Sequence, residues 1–214
     1  MQKEFEDCPT ENRAVITGCG SFVPPNILSN EELALRVDTS DEWIRTRTGI
    51  RERHITTDEE TTAHLATEAG KRALERAGLN AEDLELITVA TITPEMVFPS
   101  TACFVQQALG ASKAWAFDVA AACSGFVYSL HLAQQQMETG RLNNALVIGA
   151  ETLTKITNWK DRTSCILFGD GAGAVVLERK TDSGRGIMYS TLGSDGTYWE
   201  SLNCRAYGSR HPAP

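Results

Sequence analysis

The chain has 214 residues, of which 42% are hydrophobic and 22% charged, and its formal net charge is −8. This is the composition of a globular protein with one sizeable core or two modest ones, and the acidity argues against a general nucleic-acid binder. No apolar run approaches the roughly 20 residues that cross a bilayer, the charged start Met-Gln-Lys-Glu-Phe-Glu-Asp holds no signal-peptide core, and none of the six cysteines forms a Cys-x-x-Cys pair suited to zinc. The expectation is a cytoplasmic protein with free thiols.

Residues 14–23 read as a strand with a glycine-rich centre, closed by Pro24 and Pro25. Ser29 or Asn30 can cap a short helix running to residue 36, and Ser40 or Asp41 another around Trp43. Residues 61–77 place Ala63, Ala66, Ala69, Ala73, Leu74 and Ala77 at helical spacing, with Gly78 as a stop. Residues 84–91 form a continuous apolar run with β-branched members, the mark of a strand covered on both faces. A helix over 101–109 ends at Gly110. The run 114–119 reads as a buried strand, and 124–136 as a helix with Phe126, Leu130, Ala133 and Met137 on one face. Residues 145–150 read as another buried strand, 166–177 as a glycine-rich segment ending in a strand, and 187–192 as the start of one more. Strands alternating with helices in this way imply an α/β fold with a largely parallel sheet and helices on its faces. The polar, glycine-containing stretch 180–186 is the best domain boundary. It divides residues 1–181 from 182–214, and the second part is too short for a core of its own.

Cys123 stands in Asp118-Val-Ala-Ala-Ala-Cys-Ser-Gly-Phe126. Ala120, Ala121, Ala122 and Gly125 leave almost no side-chain bulk around the sulfur. A cysteine where a strand hands over to a helix meets the positive end of the helix dipole and the free N–H groups of the first turn. Both favour thiolate, which makes a nucleophile. The residues alone leave open a second reading, a small buried apolar cysteine. No evident base accompanies it. Of the four histidines (His54, His64, His131 and His211), His131 lies on the same expected helix, but two turns separate it from Cys123 by about 12 Å.

Other motifs weaken on inspection. Gly169-x-Gly171-x-x-Ala174 precedes a strand, whereas the dinucleotide fingerprint opens a helix; its glycines suit close backbone packing or a tight turn. Gly18-x-Gly20 is followed by two prolines where a helix should run. No Gly-x-Ser-x-Gly surrounds Ser124. Arg45, Arg47, Arg51 and Arg53 cluster within nine positions. They read either as a solvated face balanced by Asp41, Glu42 and Glu52, or as a local site for phosphates or an acidic partner protein. The neighbouring Trp43 offers a face for a flat heteroaromatic ring, so the group suits an adenine nucleotide such as coenzyme A. The other reading of Trp43 is the cap of a small hydrophobic cluster.

Three segments carry a resemblance. Val37-Asp-Thr-Ser-Asp-Glu-Trp-Ile-Arg-Thr-Arg-Thr-Gly-Ile-Arg-Glu-Arg-His-Ile55, Phe117-Asp-Val-Ala-Ala-Ala-Cys-Ser-Gly-Phe126 and Phe168-Gly-Asp-Gly-Ala-Gly-Ala174, in this order, resemble 3-oxoacyl-[acyl-carrier-protein] synthase III. The resemblance runs from about Ala14 to the end of the chain. It implies a thiolase-like layered α/β fold, one mixed, mostly parallel sheet with helices on both faces. Residues 1–181 would be the first half of that fold and residues 182–214 the beginning of a second half. It implies that Cys123 accepts an acyl group, with its own N–H in the oxyanion hole. It implies that Trp43 and Arg162 sandwich the adenine of acyl-coenzyme A near Thr39, Arg47 and Thr48. Leu153 and Phe168 would line the acyl pocket, which Phe98 would close in the partner of a homodimer. Malonyl-acyl carrier protein would then supply the carbanion. No cofactor and no metal is implied, and acyl-coenzyme A is a substrate. The family's catalytic histidine and asparagine have no counterpart here, so the expectation is a fragment of a condensing enzyme. The alternatives are a thiolase-fold acyltransferase of secondary metabolism, or a non-catalytic half that only binds coenzyme A or dimerises.

Overall fold

A long strand, β1 (Asn12–Phe22), begins the structure, a computed structural model that describes residues 12–181, 183–205 and 209–211. A hairpin-like pair follows, β2 (Ile27–Ser29) with β3 (Glu52–His54), antiparallel and enclosing two short helices, α1 (Asn30–Ala34) and α2 (Asp41–Thr48). Ser29 caps α1 in a reciprocal capping box with Glu32, and Ser40 caps α2 through Trp43 N. Then come α3 (Thr62–Ala77), β4 (Leu86–Ala90), α4 (Thr101–Leu109), β5 (Trp115–Val119), α5 (Gly125–Glu138), β6 (Asn144–Thr152) and β7 (Asp170–Thr181).

Five strands form one sheet in the order β1-β7-β6-β4-β5. β4 pairs parallel with β5 and β6, each reached through a crossover helix, while β6–β7 and β7–β1 are antiparallel. The sheet is therefore mixed, and less parallel than the alternation of elements suggests. The reason lies in residues 153–169, which contain turns and one short 3-10 turn but no crossover helix, so β7 can only return alongside β6 in the opposite sense.

Both faces are covered, which explains the unbroken apolar run of β6. Leu146 and Ile148 pack with α3 and α4, including Leu65, Ala69 and Val105; Ala145 and Val147 pack on the other side with Ala133 and Met137 of α5. The alanine stripe of α3 lies on β1 because β1 is bare there. A Cβ at Gly18 would stand 2.2 Å from the Ala73 carbonyl oxygen, and one at Gly20 2.2 Å from that of Ala69. These glycines, dismissed above as a nucleotide motif, are what let helix and strand backbones touch.

Three expectations need correction. β5 is a half-exposed edge strand, not a buried one; Trp115 is 51% exposed and stacks on Phe117. Residues 187–192 form no strand. They lie instead along α5, where Tyr128 donates to Gly193 O, His131 bonds Ser190, and Gln134 donates to Ile187 O. The strand expected only at the end of residues 166–177 also takes in the glycines, running from Asp170 to Thr181. The β2–β3 pair was not foreseen, since three-residue strands carry too little alternation to register. No helix among the described residues is long and apolar enough to cross a membrane.

Candidate active site

In an open α/β sheet, ligands meet the carboxyl ends of the parallel strands. Here those ends gather four of the nine expected residues. Phe98 follows β4, Cys123 follows β5 and Leu153 follows β6. Phe168 joins them because β7 begins at this end, Asp170 pairing with Thr152.

Cys123 sits in a single 3-10 turn (Ala122–Ser124) that runs straight into α5, and it is exposed. The turn is sharp: Ala122 has φ +45°, a region that costs a residue with a Cβ of order 1 kcal/mol or more. Gly125 lets the helix begin this close to the sheet, because a Cβ there would meet Ala90 Cβ at 3.0 Å and Val119 O at 3.2 Å. No side chain caps α5 or the turn before it; within the turn Ser124 N bonds Ala121 O and Gly125 N bonds Ala122 O, which leads the chain directly into α5. Three of the four histidines are engaged elsewhere: His131 with Ser190 Oγ at 2.7 Å, His54 with Pro24 O at 2.6 Å, and His64 edge-on to Phe22.

The second group lies on the α1–α2 lobe. Trp43 packs one side into a cluster with Leu33, Ile44 and Ile166, as its bland reading expects, while its ring carries arginines: Arg47 Cζ is 4.4 Å and Arg162 Cζ 5.0 Å from the centroid. Arg162 is held by Asp38, through the carbonyl at 2.8 Å and Oδ2 at 3.3 Å. Thr39 has a buried hydroxyl with no hydrogen-bond partner among the described residues, a polar atom that suits a ligand. The Thr48 hydroxyl, in contrast, is engaged at the end of α2, donating to Ile44 O at 2.8 Å and accepting from Ile50 N at 3.0 Å. Arg45 pairs with Asp41 on the exposed flank of α2, as the solvated-face reading holds. Arg53 differs from its neighbours. It is buried and ties the lobe to the sheet end, donating to Leu28 O, Asn30 Oδ1 and Ile166 O. Gly169 allows this approach, since its missing Cβ would lie 3.2 Å from Arg53 Cβ.

Sequence reasoning missed four carboxylates that shape the site. Asp170 accepts from the N–H and hydroxyl of both Thr56 and Thr154. Glu151 accepts from Ile92 N and from the Thr91 and Thr93 hydroxyls. Asp118 accepts from Thr101 N and Ala102 N, capping α4 from β5, while Glu95 bridges the starts of α3 and α4. Burial pushes the carboxyls of Glu151 and Asp118 above their ordinary range, against the pull of these donors. The available signal was an acid inside or at the end of an apolar strand run, at 118, 151 and 170.

The fold is that of a thiolase-like α/β protein, with an exposed cysteine at the start of a helix beyond the strand ends. The 3-oxoacyl-[acyl-carrier-protein] synthase III family profile matches residues 117–196. A β-ketoacyl-[acyl-carrier-protein] synthase III of Caldanaerobacter subterraneus is 60% identical over 200 residues, covering 94% of this chain and 60% of the relative. The crystal structure of a synthase III from Aquifex aeolicus superposes with TM-score 0.76 at 53% identity, over 78% of this chain and 54% of that one. One from Thermus thermophilus gives TM-score 0.81 at 42% identity, over 86% and 56%. Over the residues matched, the chain is similar to the N-terminal portion of 3-oxoacyl-[acyl-carrier-protein] synthase III proteins. It spans about 60% of the length of this curated relative.

Proposed function

We propose that this chain carries the acyl-accepting site of a condensing enzyme that starts fatty acid synthesis. The Cys123 thiolate attacks the thioester carbonyl of a short acyl-coenzyme A. The carbonyl oxygen gains negative charge, which the Cys123 N–H stabilises on this reading. The tetrahedral adduct collapses with loss of coenzyme A thiolate, leaving a Cys123 thioester. In the second half-reaction malonyl-acyl carrier protein loses carbon dioxide, and its carbanion attacks the acyl carbonyl of the Cys123 thioester, forming the new C–C bond and expelling the Cys123 thiolate to give 3-oxoacyl-acyl carrier protein. The family's enolate-stabilising histidine and asparagine motif has no match in residues 1–214, so this chain's own residues account for the first half-reaction.

Trp43 and Arg162 hold the adenine, with Thr39, Arg47 and Thr48 around it. An aromatic ring between two flat groups needs about 7 Å between their planes, twice an ordinary contact. Arg162, at 5.0 Å, therefore retracts to admit it. Phe98, Leu153 and Phe168 bound the acyl chain. The protein is cytoplasmic and homodimeric, with residues 1–181 as the half carrying the nucleophile and residues 182–214 as the start of the next. The half-exposed edge strand β5, with its Trp115–Phe117 stack, supports the pairing of two copies.

The observation that carries the proposal is the exposed Cys123 in a strained turn at an uncapped helix start. Mass spectrometry after incubation with a panel of acyl-coenzyme A donors is expected to find one acyl group on the Cys123 peptide, labile to neutral hydroxylamine. Cys123→Ser is expected to carry no thioester-linked acyl group; a hydroxylamine-labile label persisting in that variant refutes the assignment.

A further inference from the structure

Residues 91–101 join β4 to α4 and carry an apolar tip. Met96, Val97 and Phe98 are 49%, 84% and 80% exposed. A contiguous tip of this kind gains by folding down onto its own chain, because that removes apolar surface from water. Both ends of the segment are fixed: Glu151 grips residues 91–93, and Asp118 grips Thr101 and Ala102. Between them stands Glu95. One of its carboxylate oxygens accepts from Ala63 N in the first turn of α3, and the other from Thr101 Oγ1 at 2.8 Å. A carboxylate between two helix starts is favoured by both dipoles.

Neither helix depends on Glu95 for its start. Thr61 caps α3 through His64 N at 3.2 Å, and Asp118 already receives two N–H groups of α4 at 2.7 and 2.8 Å. Each helix start thus has a further cap besides Glu95, whose two bonds anchor the loop just before residues 96–98. We infer that Glu95 is a positioning residue that holds Phe98 away from its own chain, presents it to a second copy, and through it sets the length of acyl chain accepted at Cys123. The inference rests on the reading of Phe98 as a wall of the acyl pocket.

Glu95→Ala, Glu95→Gln and Phe98→Ala test it with two readouts. The first is amide hydrogen exchange, which needs no catalysis. Glu95→Ala is expected to speed exchange of residues 94–100, and of the Ala63 amide that loses its acceptor, about tenfold, as for one net hydrogen bond, and to leave residues 64–77 and 102–109 at the parental rates. Glu95→Gln keeps one accepting oxygen and is expected to fall between. The second is the ratio of Cys123 acylation rates by octanoyl- and acetyl-coenzyme A. It is expected to shift toward the longer donor in Glu95→Ala and Phe98→Ala alike, with no further shift when the two are combined. Unchanged exchange overturns the positioning role. Faster exchange with an unchanged donor ratio overturns the link to chain length. If the parent is not acylated at all, the reading of the pocket fails, and the exchange data still decide whether Glu95 places the loop.

Discussion

Replacing Asp170 by alanine removes one small carboxylate and with it the joint between three segments. Asp170 is 5% exposed and starts β7 opposite Thr152. Its Oδ1 accepts from Thr154 N at 2.9 Å; its Oδ2 accepts from Thr56 N at 2.7 Å, Thr56 Oγ1 at 2.7 Å and Thr154 Oγ1 at 2.6 Å. Thr154 is itself buried, so its two donors are left without water, whereas Thr56 is half-buried and can recover solvent. Hydrogen bonds to a charged acceptor contribute about 1.5–3 kcal/mol each, and stranded buried donors cost about 1–3. Counting the Thr154 pair in full and the Thr56 pair lightly gives about 3–5 kcal/mol, at the upper end for one substitution. For a chain of this size that lowers the melting temperature by roughly 10 °C. Urea unfolding followed by circular dichroism measures it directly, with the slope m expected to stay constant. Asp170→Asn provides the control. With its oxygen in the Oδ2 position it keeps three of the four donors and strands Thr154 N alone, so about half the loss is expected. If Asp170→Ala lies within about 1 kcal/mol of the parent, the four-donor joint contributes little and the reasoning fails.

Two further outcomes follow from the same geometry. Trp43→Ala removes the ring beneath Arg47 and Arg162, and is expected to weaken coenzyme A binding by about 1–2 kcal/mol, roughly 5- to 30-fold, with the rate of Cys123 acylation at saturating donor little changed. Titration calorimetry with coenzyme A checks it, and unaltered affinity places the nucleotide elsewhere. Glu151 and Asp118 have folded-state affinities for protons raised by burial. The folded state thus binds more protons than the unfolded chain between the ordinary carboxylate range and the raised folded values. Their contribution to stability is greatest on the acid side and is lost as pH rises through that window. Glu151→Gln, which cannot ionise, is expected to flatten the fall in stability; an unchanged pH profile means that Glu151 is not its source.

Much of the scaffold was legible because it rests on local pattern. The alanine spacing of α3, the serine caps of α1 and α2 and the apolar runs of β4 and β6 each specify their element without reference to the rest of the chain. What did not show was pairing. The edge position of β5 depends on strand order, and its apolar sequence reads the same in the middle of a sheet as at the side. Gly18 and Gly20 looked like a failed nucleotide motif because their true partner, α3, is a helix some fifty residues away in sequence. Among the candidate site residues, Cys123 and Trp43 stood out from the residues themselves and Arg162 only through resemblance, while Glu95, Glu151 and Asp170 were not singled out at all. Their roles reside in donors supplied by distant threonines and helix starts, and no spacing along the chain encodes such an arrangement.

The backward run of β7 separates two tasks in evolution. Leu153 and Phe168 lie at the two ends of one connection whose feet are pinned by the Thr152–Asp170 rung, while Arg162 rides near its crest. Had β7 run the other way, Phe168 would lie a full strand length away, about 30 Å for the nine residues of β6. As built, insertions or deletions between the feet can change the surroundings of Arg162 while Leu153 and Phe168 stay at the same end of the sheet.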